Sequence, residues 1–160
     1  MGLQSRATVF AAIAGLLAMM GGFVYYASLD NPELEKVTIE LLDVRVIDVN
    51  TIEDSAKLEV SFLVGNPSEK TFTVPVISYD LYANGELLGG GVYSTEDVSM
   101  PGRAAFYAGV EIPLKNTFAL TKNTVSDEIY DAIVNGEDVD YSATGMITVE
   151  TSWSLIEKEF

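Results

Sequence analysis

Four stretches of this 160-residue chain carry residues that could do chemistry. Two are acidic: Glu137, Asp138 and Asp140 in "GEDVDY", and Asp48, Glu53 and Asp54 in "DVNTIED". Oxygen-rich loops of this kind can hold calcium. Neither follows the spacing of a helix–loop–helix calcium site, because Ile52 stands where an alternate ligand belongs in the second. Both are expected to be solvated loops, with no metal. A glycosidase-like carboxylate pair can be drawn from any protein this acidic, so none is assigned. The third stretch is Gly89-Gly90-Gly91. A phosphate cradle needs a helix N-terminus after the glycines, and Val92-Tyr93 reads as strand, so no nucleotide site is expected. The fourth is Asn66-Pro67-Ser68, which has the outline of a glycosylation sequon. Proline in its middle position disqualifies it.

The residue inventory removes further classes. The chain has no cysteine and no histidine, which excludes disulfides, thiolate or imidazole metal sites, and Cys- or His-based catalysis. From these stretches no catalytic residue and no cofactor is assigned. Arg6 is the only charge before Asp30, and from there onward 8 basic residues face 24 acidic ones, 8 − 24 = −16. Such a surface repels nucleic-acid phosphates and anionic headgroups, so nucleic acid is not an expected partner.

The elements that must position these residues begin with a membrane segment. Ala7–Ala27 holds no charged residue. Its 21 positions (27 − 7 + 1) match the roughly 20 helical residues that cross a bilayer. Tyr25 and Tyr26 form an aromatic pair at one end, and Arg6 flanks the other. By the positive-inside rule residues 1–6 are cytoplasmic and the remainder is extracytoplasmic, on a single-pass anchor in the cell membrane. A cleaved leader is disfavoured, since cutting after Ala27 or Ser28 would put Tyr25 or Tyr26 at −3. Ala7, Ala11 and Gly15, with Ala14, Ala18 and Gly22, form rows of small residues. Such a stripe lets another membrane helix approach closely.

Residues 28–36 read as a polar spacer, and 37–160 as one domain rich in strands. Leu41 and Leu42 change the phase of the first apolar alternation, which predicts a bulge or bend. "KLEVSFLVG" and "TFTVPVISYDLY" alternate, and Pro75 belongs at an edge or bulge. Asn84-Gly85 predicts a tight hairpin turn. "MPGR" predicts another turn, and "AAFYAGVEIPL" a further strand. Thr117–Val134 reads as a helix, with Thr124 and Asp127 capping its firmer half and Asn135-Gly136 stopping it. A last strand runs from Val139 to Trp153 on one face. Trp153 and the domain's tyrosines are expected in the core. Strands at hairpin spacing with one late helix point to a mainly β, antiparallel β-sandwich. At the Gly65-Asn66-Pro67 interruption, Pro67 holds Asn66 extended and stops the ladder while Asn66 bonds nearby backbone.

The order of these pieces resembles a known family. "LVGNP" (Leu63–Pro67), "ISYDLYANGELLGGG" with Tyr79, Asn84, Gly85 and Gly89, "VEIPL" (Val110–Leu114) and "YSATGMITV" with Tyr141 and Gly145 are similar to the water stress and hypersensitive response (WHy) domain. This is the domain of the group 2 late embryogenesis abundant (LEA) proteins. The resemblance spans Val37–Phe160; Ser68 stands where the family often has a second Asn. It implies an immunoglobulin- or fibronectin-III-like sandwich with one inserted helix, and a non-enzymatic stress or desiccation protein that protects or binds envelope components. It supplies no catalytic residue, and Asn66 and Pro67 carry over as structural. The alternative is an accessory subunit of a larger integral membrane complex, docked through the small-residue stripe. Lipid carriage between the sheets is a third reading, and a dedicated small-molecule or lipid ligand is not expected. The expected partners are thus the bilayer and other integral membrane proteins.

Overall fold

The computed structural model describes residues 6–29, 31–95 and 104–160. Two antiparallel sheets face each other across one apolar core, and a long helix extends from the chain's start. Helix α1 spans Arg6–Ser28 and buries no residue. It covers the segment expected to cross a membrane and is apolar enough to do so by length and composition. A four-residue helix, α2 (Asn31–Leu34), follows. Leu34, inside the stretch read as a spacer, is fully buried, as is Val37 at the start of the domain. Leu34 is flanked by Glu33 and Glu35, which made the segment look solvated.

Strand β1 (Thr38–Asn50) pairs with β2 (Ser55–Gly65), and β2 with β6 (Glu111–Thr121). The phase change at Leu41/Leu42 is a bulge, one of two register shifts along β1. Each shift turns the alternation over, so Val44 and Val46 still reach the core that Ile39 and Leu41 line. The second sheet has the order β4-β3-β7-β8, from β4 (Glu86–Ser94), β3 (Phe72–Ala83), β7 (Tyr141–Glu150) and β8 (Leu155–Glu159). The short β5 (Ala105–Phe106) pairs with the start of β3. Pro75 lies in this central strand, where the pairing with β7 skips from Thr73 to Val76. The skip spares the ladder a donor that proline lacks.

Three expected elements differ. "AAFYAGVEIPL" is not one strand: β5 ends at Phe106, a turn with Gly109 at φ 75° follows, and β6 begins at Glu111. Strand β6 then runs through Thr121, into the region read as helix. Leu114, Phe118 and Leu120 are its buried row, so the period of two outweighs the partial helical spacing there. Helix α3 is only Asp127–Asn135. Its N-cap is Ser126, whose Oγ accepts from the Ile129 N–H; Thr124 instead donates to the Thr121 carbonyl. Gly136, at φ 71°, closes the C-terminus as expected. Finally, the last strand is two. Strand β7 stops at Glu150, and Thr151–Ser154 turns the chain into β8. Ile147 and Val149 are buried, but Trp153 is 61% exposed and is no core residue. The expected turn at Met100–Arg103 lies outside the described residues.

The core is filled from both sheets. Phe62 on β2 meets Tyr79 on β3 and Phe160 edge-on, and Phe72 stacks on Phe106. A fully buried side chain of this size contributes about 2–3 kcal/mol. Helix α3 adds Ile129, Tyr130 and Ile133.

Candidate functional site

The residues singled out in the sequence gather into three places. The first is the corner at Asn66, which is 1% exposed. Its Nδ2 donates to the carbonyls of Lys70 and Phe106, each at 2.7 Å. Its Oδ1 accepts from the Ser68 N–H at 3.0 Å and from Ser68 Oγ at 2.7 Å. The backbone joins in: Asn66 N–H donates to the Val110 carbonyl and Asn66 O accepts from the Gly109 N–H. One residue, through side chain and backbone together, thus ties the end of β2, the loop to β3, strand β5 and the turn before β6. Pro67 stops β2 immediately after it. Every hydrogen-bonding position of the Asn66 side chain is occupied from within the chain. Ser68, itself buried, is a member of the corner that sequence reasoning treated as a mere substitute.

The second place is the row Gly91, Tyr79, Gly145, which sit side by side on β4, β3 and β7. Tyr79 is buried, and its hydroxyl accepts from Asn116 Nδ2 at 2.9 Å. Asn116 comes from β6 in the opposite sheet and also donates to the Val92 carbonyl. Burial raises the Tyr79 phenol above its ordinary pKa of 10.0, partly offset by this hydrogen bond. The ring lies over Gly91, where a Cβ would strike its far end. At Gly145 a Cβ would strike the Ser78 carbonyl and, at 2.7 Å, Tyr79 Cα. Gly145 also exchanges two backbone hydrogen bonds of 3.0 Å with Phe160. Asn116 was missed. The period-two row Ile112, Leu114, Asn116, Phe118, Leu120 carries its signal, a lone polar residue on an apolar face.

The third place is the distal hairpin end. Asn84 (φ 50°) and Gly85 (φ 83°) make the tight turn, and the Asn84 side chain accepts from the Asp140 N–H at 2.9 Å. Tyr141 pairs with Ala83, half-buried, and burial raises its pKa. Gly89, at φ 141°, adjoins a bulge at Leu88.

The acidic stretches are held apart. Asn50 caps its own turn, accepting from the Ile52 and Glu53 N–H groups and donating to the Glu53 carboxylate. Asp48 pairs with Lys57 at 3.8 Å. Lys122 stands 3.5 Å from Asp131 and 3.7 Å from Asp127, and these, with Asp54, raise its pKa. Among the described residues no three acidic side chains converge to hold a metal. A shallow groove of about 750 Å³ lies on the second sheet. Ser78, Asp80, Gly90, Val92, Thr144 and Met146 line it, and Asp80 and Glu159 are its charged groups. On α1, a Cβ at Gly15 or Gly22 would meet nothing within 4 Å, so both rows of small residues are open.

Two solved structures are similar to this chain in fold. AT1g01470 from Arabidopsis thaliana superposes with a TM-score of 0.51 at 18% identity, covering 76% of this chain and 78% of its own. The fold is similar to that of AT1g01470. The structural-genomics target SoR45 is similar at TM-score 0.50 and 9% identity, over 79% of this chain and 86% of its own. A candidate late embryogenesis abundant protein, At2g46140.1, matches at TM-score 0.47 and 12% identity, over 94% and 87%. By sequence the chain matches no family model and no curated protein.

Proposed function

We propose that this chain is a membrane-anchored WHy-type member of the group 2 LEA family, with an immunoglobulin-like sandwich held outside the cell membrane. Its role is non-enzymatic: it protects the envelope under desiccation-type stress. One observation carries the anchor. Helix α1 is 23 residues long and buries none of them. An apolar surface of that size is not left in water, and the described chain leaves it exposed along its length. The motif residues support the non-enzymatic part. Asn66, Tyr79 and Gly145 are consumed by the fold, and the family motif supplies no reacting group.

The orientation rests on Arg6, which flanks the N-terminal end of the span. Alkaline carbonate should leave the chain in the membrane and detergent should release it. Protease added outside intact cells should digest the sandwich. Release by carbonate, or full protection of the sandwich, would count against this reading. For the protective role, vesicles carrying the full chain should retain an entrapped dye through drying better than bare vesicles, and equal leakage would refute it.

A second reading is favoured by the open small-residue rows of α1. In it, the helix docks other membrane helices and the sandwich caps a larger assembly. Native sizing after gentle solubilisation separates the two: a stoichiometric large complex supports the subunit, a monomeric particle the free-standing protector.

A further inference from the structure

Trp153 is the chain's single tryptophan, and the fold puts it on display. It is 61% exposed, and Leu155 beside it is 58% exposed. The turn that carries it is stiff. Thr151 Oγ1 accepts from the N–H groups of Trp153 and Ser154, and the Thr151 N–H donates to the Ser154 carbonyl at 2.8 Å. The hairpin is also tied to the segment that follows α1. Ser154 Oγ bonds the Asn31 side chain, and Lys158 Nζ donates to the carbonyls of Glu35 (2.9 Å) and Val37 (2.6 Å). The indole then meets Phe23 of α1 edge-on, with ring centroids 5.4 Å apart.

That contact sets a depth. Phe23 lies 28 − 23 = 5 residues before the end of α1. At 1.5 Å per residue this is about 7.5 Å below the helix end. The whole helix spans about 34 Å, slightly more than the roughly 30 Å hydrocarbon layer. When α1 crosses the bilayer, Phe23 therefore stands near the boundary between headgroups and acyl chains, and a ring in contact with it stands there too. An indole suits that level, because its body is apolar and its N–H can reach a headgroup oxygen.

We infer that the β7–β8 turn is a second membrane contact: Trp153, with Leu155, enters the outer boundary of the bilayer and sets the tilt of the sandwich over the lipid. This rests on the anchor reading of α1. The partner is the lipid boundary itself. Because the domain is strongly acidic, lipids with neutral headgroups suit it best.

Trp153 is its own probe. The full chain is reconstituted into phosphatidylcholine vesicles and washed with alkaline carbonate. In the retained chain the emission should be blue-shifted and shielded from aqueous acrylamide. Lipids brominated high on their acyl chains should quench it, since an aromatic-belt position puts the indole within their reach. If the chain is retained but its emission ignores the brominated lipid and is open to acrylamide, the turn does not touch the bilayer, and the anchor reading survives. Release of the chain by carbonate overturns both.

Discussion

Asn66 joins four segments through its side chain and backbone. Truncating it removes the donor to the buried Phe106 carbonyl and the acceptor of the Ser68 N–H, while Ser68 Oγ and the Lys70 carbonyl keep each other at 3.3 Å. Each stranded group costs about 1–3 kcal/mol, less whatever water recovers. Asn66→Ala should therefore lose about 3 kcal/mol of unfolding free energy, read by urea denaturation of the detergent-solubilised chain. A wild-type midpoint would contradict the corner. Half of this corner was legible in advance. Proline after asparagine announces an extended residue and a stopped ladder. The Phe106 carbonyl, 40 residues away, was not legible, because only tertiary packing brings β5 to the end of β2.

At the scale of elements, pairing geometry decides how much space each residue has. Gly145 faces backbone, which cannot step aside, whereas Gly91 faces the far end of the Tyr79 ring. Gly145→Ala should thus cost about 3 kcal/mol or more and Gly91→Ala less, as overpacking costs depend on what can yield. Equal melting losses for the two would show that the β3–β7 pairing is softer than drawn. Helix α3 offers a test by pH. Glu86 on the β3–β4 hairpin accepts from the Ser126 N–H at 2.6 Å and from Ser126 Oγ at 2.8 Å. These bonds hold its carboxyl below the ordinary 4.5. A depressed folded pKa gives stability that is present above 4.5 and lost as pH falls through the folded value. Glu86→Gln should accordingly be less stable than the native chain at neutral pH, and the gap should close on acidification. Urea midpoints across the acid range check it; a gap that persists in acid would assign the loss to something other than charge. The misreading of Thr117–Thr121 as helix belongs to this scale. Phe118 fits either a period of 3.6 or a period of 2, and what selects the strand is the open edge of β2, which β6 fills along its length.

Over the whole molecule, charge and apolarity are segregated along the chain. From Asp30 onward the net charge is 8 − 24 = −16, and the ion pairs described use mainly the few bases available. Repulsion among the remaining carboxylates opposes compaction, and salt screens it within about 10 Å at 0.1 M. Raising sodium chloride from low to molar concentration should raise the melting temperature of the domain. A flat or falling curve would mean that the ion pairs outweigh the repulsion. The membrane-compatible helix, the acidic exterior, the alternating strands and the Asn84-Gly85 turn were all determined by the sequence itself, because each depends on residues close together along the chain. The saturation of Asn66, the reach of Asn116 across the core to Tyr79, the burial of Leu34, and the exposure of Trp153 against Phe23 were decided by the tertiary structure alone. Each depends on a partner dozens of residues away, and periodicity can assign a residue to a face without saying what that face will meet.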